Sequence, residues 1–134
     1  MSDLTRVAFR FRFLALLRAS LVAGALYDFG VAVLMVAAPQ VLSRAFAVPL
    51  PGERFYLHLL ALLLFMLAGM YTLAARDPRR YSGVVLLAIV GRLVGGALFA
   101  YAAISEPAHA GLWWTAAADA VFGLSHAIFW YPLR

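Results

Sequence analysis

The chain has 134 residues, 66% of them hydrophobic and 13% charged, with a mean hydropathy of +0.92 and a formal net charge of +5. A soluble domain is about half apolar and about a quarter charged, and a water-soluble globule of this size would lack the polar surface to cover itself. The composition excludes a soluble enzyme, a disordered tail and a nucleic-acid-binding domain, and it predicts an integral membrane protein.

Basic and aromatic residues alternate at the start. Leu4–Leu14 interleaves Arg6, Arg10 and Arg12 with Phe9, Phe11 and Phe13, which predicts an amphipathic helix along the membrane interface. The apolar run that follows is too long for the 7–15-residue core of a cleaved signal peptide, and Asp28 interrupts it, so a membrane span is expected instead.

Four apolar segments lie near residues 15–37, 55–75, 81–104 and 112–131. Each is about twenty residues or more, enough to cross a ~30 Å hydrocarbon core at about 1.5 Å per residue. Only helices and closed barrels satisfy their backbone polar groups in lipid, and continuous apolar runs fit helices. The expected fold is all-α, a single four-helix transmembrane bundle.

The breaks carry turn chemistry. Ala38-Pro39-Gln40 ends the first span and Pro49-Leu50-Pro51-Gly52 precedes the second. Between them, Val41–Val48 predicts a short interfacial helix in the first outer loop, with Val41, Leu42, Ala45 and Phe46 on one face and Ser43 and Arg44 on the other. Asp77-Pro78 separates spans two and three, with Asp77 as a cap and Pro78 at the first helical position. Glu106-Pro107 and Gly111 separate spans three and four.

All eleven basic residues are arginine. With four spans, Arg6, Arg10, Arg12, Arg18, Arg76, Arg79, Arg80 and Arg134 share one side, against Arg44 and Arg54 on the other. The positive-inside rule then places both termini in the cytoplasm. Tyr81, Tyr101, Trp113, Trp114, Trp130 and Tyr131 fall near span ends, as an aromatic belt does.

Ionisable groups inside a bilayer are costly unless paired or wet. Asp28, Arg92 and Asp119 fall within about one helical turn (~5 Å) of the same depth. A planar guanidinium can hold two carboxylates at once. Each occupies a stripe of small or polar residues: Ser20, Gly24, Asp28 in span one; Ala88, Arg92, Gly96 in span three; Thr115, Asp119, Gly123, His126 in span four. Span two offers His58, Ala61, Phe65, Ala68 and Thr72. Turned inward, these stripes surround a polar centre. Such a centre can be purely architectural, fixing helix order and rotation, or it can be a site.

His126 stands two turns from Asp119 on the same stripe and extends the polar centre toward the cytoplasmic side; His58 lies toward the other side. Their axial separation of roughly 18 Å rules out a shared haem or metal. His109 and the Glu53-Arg54 pair read as interfacial or solvated. Gly91-x-x-x-Gly95 serves packing within one bundle or a homodimer equally well. The chain has no cysteine, so Cys-ligated metals and Fe–S clusters are excluded. It carries no nucleophile elbow, zinc-protease helix, P-loop or dinucleotide fingerprint.

The layout resembles a known family. An acidic residue in the first span (Asp28), a Pro-rich outer loop holding a small helix (Ala38-Pro39-Gln40 to Pro49-Leu50-Pro51), Gly91-Arg92 in the third span and Asp119 in the fourth look like the DoxX-like group of small bacterial four-helix membrane proteins. The likeness covers most of the chain and rests on layout, chiefly on Gly91-Arg92. It implies a bacterial inner-membrane accessory subunit, or a link to quinone-dependent oxidoreductases. No catalytic residue of the group maps onto this chain.

The expected function is a non-enzymatic module that binds a lipophilic small molecule (quinone or lipid-like) or a partner membrane subunit. Asp28, Arg92 and Asp119 would form its polar end, with His126 and His58 in the wider polar network, and Phe65, Phe99 and Phe122 would line its apolar part. The alternatives are a dimeric proton-coupled transporter or channel, and a membrane enzyme acting on a lipid or quinone.

Overall fold

A computed structural model of the chain describes the backbone of residues 3–134 and the side chains of residues 8–134. Arg6 and the first part of the Leu4–Leu14 face lie outside the described side chains. Five α-helices follow one another: α1 (Asp3–Ala37), α2 (Pro39–Phe46), α3 (Arg54–Arg76), α4 (Ser82–Ser105) and α5 (Leu112–Trp130). Short 3₁₀ turns occupy Pro107–His109 and Tyr131–Leu133. No strand occurs among the described residues.

Three helices are long and apolar enough to cross a membrane: Ala8–Ala37 within α1, all of α3 and all of α4. The distribution of polarity agrees. Large apolar side chains cover the outside, among them Leu26, Leu62, Val94, Val121 and Ile128, while Asp28, Arg92, Asp119 and His126 are buried. Water would penalise both halves of that arrangement; hydrocarbon around the helices reverses the sign of the first. The fold is that of an integral membrane protein.

α1 packs most extensively on α3, and α4 on α5; lesser α1–α5 and α3–α4 contacts close the ring. α1 and α4 therefore stand diagonally across the bundle. At one end, the Arg18 guanidinium on α1 donates to the Arg76 carbonyl at 3.0 Å, capping the C-terminus of α3. At the same end Phe13 meets Phe129 edge-on at 6.3 Å. At the other end, α2 sits against the start of α5 so closely that a Cβ on Gly111 would run into the Phe46 backbone. Only glycine fits there.

Four local expectations are corrected. The basic amphipathic segment is not a separate element, because α1 runs unbroken from Asp3 to Ala37. Asp77 closes a turn rather than capping α4: its Oδ1 accepts from Arg80 N at 3.2 Å and its carbonyl from Tyr81 N at 3.0 Å, and the helix begins at Ser82. Trp130 is buried with Leu133 in the core instead of joining an aromatic belt. On α2 the inward face is Leu42, Ser43 and Phe46, while Val41 and Ala45 are exposed. Ser43 can turn inward because its hydroxyl is already spent, donating to the Val48 carbonyl at 2.7 Å.

Candidate functional site

The apolar core fills one half of the bundle. Leu17, Leu21, Ala74 and Val85 are fully buried there, joined by Ala25, Ala68, Tyr71, Ala88, Ile89, Trp130 and Leu133. Alanines on α3 and α4 let these helices approach, as in other membrane bundles.

The polar cluster sits beside this core. Arg92 reaches from α4 across the bundle. Its Nη2 donates to Asp28 Oδ1 on the diagonal helix α1 at 2.7 Å and to the Gly24 carbonyl at 3.3 Å. Its Nη1 donates to Asp119 Oδ1 on the neighbouring α5 at 2.6 Å. One fork thus ties three helices together, with the two carboxylates held by different nitrogens. Asp28 is 1% exposed and Arg92 and Asp119 each 6%. Charge-assisted bonds of this kind are short, and breaking one partner away leaves an uncompensated buried charge.

Aromatic rings enclose the cation. The guanidinium carbon lies 5.4 Å from the Tyr27 ring centroid, 5.4 Å from Tyr71 and 5.2 Å from Phe122, all within cation–π range. Neither tyrosine was marked by the inward stripes. Tyr71 had a signal in the sequence: Leu57, Ala61, Leu64, Ala68, Tyr71 and Ala75 follow a heptad, and these are the inward or half-buried positions of α3. Tyr27 directly precedes Asp28, and nothing in its spacing distinguishes it.

His126 joins the cluster's edge. Its Nδ1 bonds the Ser20 hydroxyl at 2.9 Å, and its ring lies edge-on to Tyr71 at 6.1 Å and to Phe122 at 6.2 Å. Four residues on, Trp130 belongs to the apolar core, so the polar path expected toward the cytoplasmic side stops at His126.

His58 and Phe65 are not brought to the site. Both are exposed and line an outward groove between α1 and α3 with Phe29 and Val33; Phe65 stacks on Phe29 at 5.8 Å. The α3 heptad turns them away from the centre. Thr72, from the same expected stripe, is also exposed and donates to the Ala68 carbonyl at 2.8 Å.

On the other side of the cluster from the apolar core lies a cavity of about 350 Å³. Asp28, Arg92 and Asp119 line it together with Tyr27, Thr115 and Phe99. Its walls are Val31, Met35, Leu57, Leu60 and Leu64, and α2 and the Pro49-Leu50-Pro51 loop cover it in part. Phe99 lines the cavity, whereas Phe122 packs on the cation and His126 instead. Several buried polar atoms have no hydrogen-bond partner in the protein: Asp28 Oδ2, Arg92 Nε and Thr115 Oγ1, on residues that line the cavity, and His126 Nε2. Buried polar groups are nearly always paired, so this concentration marks the cavity floor as unusual.

Among the described residues, no group of three His, Asp or Glu side chains is placed to hold a metal. No family model matches the chain, and no curated protein or solved structure is significantly similar to it.

Proposed function

We propose that this protein is a four-span membrane module that holds a lipophilic small molecule in the cavity beneath α2, with the Asp28–Arg92–Asp119 cluster at its polar end. The observation that carries this reading is that Asp28 and Thr115, which line an otherwise apolar cavity, each hold a buried oxygen with no hydrogen-bond partner, Oδ2 and Oγ1. A purely architectural ion cluster is best served by close packing and full hydrogen bonding. Here one flank of the cluster is open to a cavity that has the size and lining of a small-molecule site, mostly apolar with a few convergent polar groups.

In this reading α5 is the fourth span. Its 19 residues cover about 28 Å at the helical rise, close to the ~30 Å of hydrocarbon. The arginine bias then sets both termini in the cytoplasm. The layout supports placing the chain with the DoxX-like membrane proteins of bacterial inner membranes, and a quinone or lipid-like ligand fits the same cavity. The transporter alternative is less well served, because Leu17, Leu21, Ala74 and Val85 fill the bundle on the far side of the cluster.

The test is photolabelling of the protein in nanodiscs with an alkyl-diazirine amphiphile. Labels concentrated on Val31, Met35, Leu64 and Phe99 are expected. Labels confined to outward residues such as Leu26, Val94 and Val121 would contradict the proposal.

A further inference from the structure

We propose that the cavity selects amphiphiles with a neutral hydroxyl head, an alcohol or phenol, over those with an anionic or purely accepting head. This rests on the ligand-binding reading above and names the chemistry of its ligand.

Charge gives the first argument. Among the described residues, Asp28, Arg92 and Asp119 are the only formally charged side chains lining the cavity. Two carboxyl groups share one guanidinium, so the trio has no cation to spare. In a poorly screened interior, a carboxylate or phosphate head would bring a negative charge with nothing left to neutralise it.

Hydrogen-bond arithmetic gives the second. Arg92 Nη2 is taken by Asp28 and the Gly24 carbonyl, and Nη1 by Asp119. Among the buried side-chain atoms of the residues lining the cavity, those with no partner at all are an acceptor (Asp28 Oδ2), a donor (Arg92 Nε) and a hydroxyl able to play either part (Thr115 Oγ1), and Nη1 keeps a second N–H beyond its bond to Asp119. An ether or a ketone serves the donor and leaves Asp28 Oδ2 unpaired. An ammonium serves the acceptor and leaves Arg92 Nε unpaired. A hydroxyl does both, giving its proton to the carboxylate while its oxygen accepts from Nε or from Thr115. Sites built around such groups reject analogues that lack the hydrogen-bonding proton, because the buried partner is stranded.

Walls and roof suit a short apolar body. Val31, Leu60, Leu64 and Phe99 line the cavity, and α2 covers part of it with Leu42 and Phe46.

The experiment compares 4-hexylphenol, 4-hexylanisole and 4-hexylbenzoate, which share one body and differ in head. Binding is measured by equilibrium partition into nanodiscs with and without the protein, corrected for uptake by lipid. The phenol is expected to bind at least tenfold more tightly than the anisole, and the benzoate most weakly. Thr115→Val, which keeps shape and charge, should weaken the phenol several-fold. Asp28→Asn should abolish the preference for phenol. Equal binding of phenol and anisole, or benzoate binding as well as phenol, would overturn the hydroxyl-head assignment while leaving a binding cavity in place. Failure of all three to bind would overturn the binding reading itself.

Discussion

Arg92 Nη2 and Asp28 Oδ1 meet at 2.7 Å across the diagonal of the bundle, between two helices that otherwise make little contact. The pair therefore fixes the rotation of α1 and α4 in a way their packing does not. With the 2.6 Å bond to Asp119, it also sets the register of α5. Association of helices in lipid has no hydrophobic drive between them, so a bond of this kind has a large share in specifying the arrangement.

Removing the cation should be severe. Arg92→Leu strands two buried carboxylates, and breaking a buried pair in this way costs about 3–5 kcal/mol. Arg92→Leu combined with Asp28→Leu and Asp119→Leu should recover much of that loss, because no charge is then left unpaired. Unfolding in mixed micelles with increasing denaturing detergent reads both. A single variant as stable as the parent would show that the cluster is not a dry ion network.

Two glycines on α4 should respond in opposite ways. A Cβ on Gly96 would stand 3.2 Å from the Ala116 carbonyl oxygen and 3.3 Å from Asp119 Cβ, so α4 and α5 would have to separate slightly. Gly91 has nothing within 4 Å. Gly96→Ala is expected to lower the thermal midpoint, and Gly91→Ala to leave it unchanged or raise it, since alanine favours helix by up to about 1 kcal/mol. The same motif bears on association: Gly91, which opens the Gly-x-x-x-Gly motif, faces outward, whereas a Cβ on Gly95 would stand 3.1 Å from Asp119 Oδ2, so Gly95 faces in.

The absence of cysteine makes the topology simple to read. Single cysteines at Glu53 and Glu106 should react with a membrane-impermeant maleimide from outside intact cells. Those at Arg79 and Arg134 should react only after permeabilisation. Labelling of Arg79→Cys from outside would invert the orientation, and labelling of Glu53 and Glu106 from opposite sides would contradict a four-span chain.

Much of the polar centre was legible because depth in a helix is simple arithmetic. Asp28, Arg92 and Asp119 stand at matching distances from their span centres, and charges at one depth in hydrocarbon have strong reason to meet. Ser20 and His126 followed from the same stripes. The face of α3 was harder. Ala61 and Ala68 belong to both possible stripes, and the polarity of His58 and Thr72 favours the one that the structure turns outward. Leu57, Leu64 and Tyr71 carry the inward positions instead. In a uniformly apolar helix, a one-residue error in phase is barely penalised by the pattern, unlike in a soluble amphipathic helix. The cavity was not legible, since it depends on where α2 and the proline loop settle over the bundle.

The central claim is that a lipophilic molecule occupies the space between α2 and the Arg92 cluster. The most direct measurement is mass spectrometry of the organic extract of protein purified from membranes, normalised to protein, for the parent chain, Val31→Trp and Arg92→Leu. Val31→Trp narrows the cavity without replacing a charged residue, and circular dichroism checks that each variant is folded. A molecule present in near-stoichiometric amount with the parent and depleted at least fivefold in folded Val31→Trp is the predicted result. Equal recovery of the same lipids from the parent and a folded Val31→Trp would contradict the account.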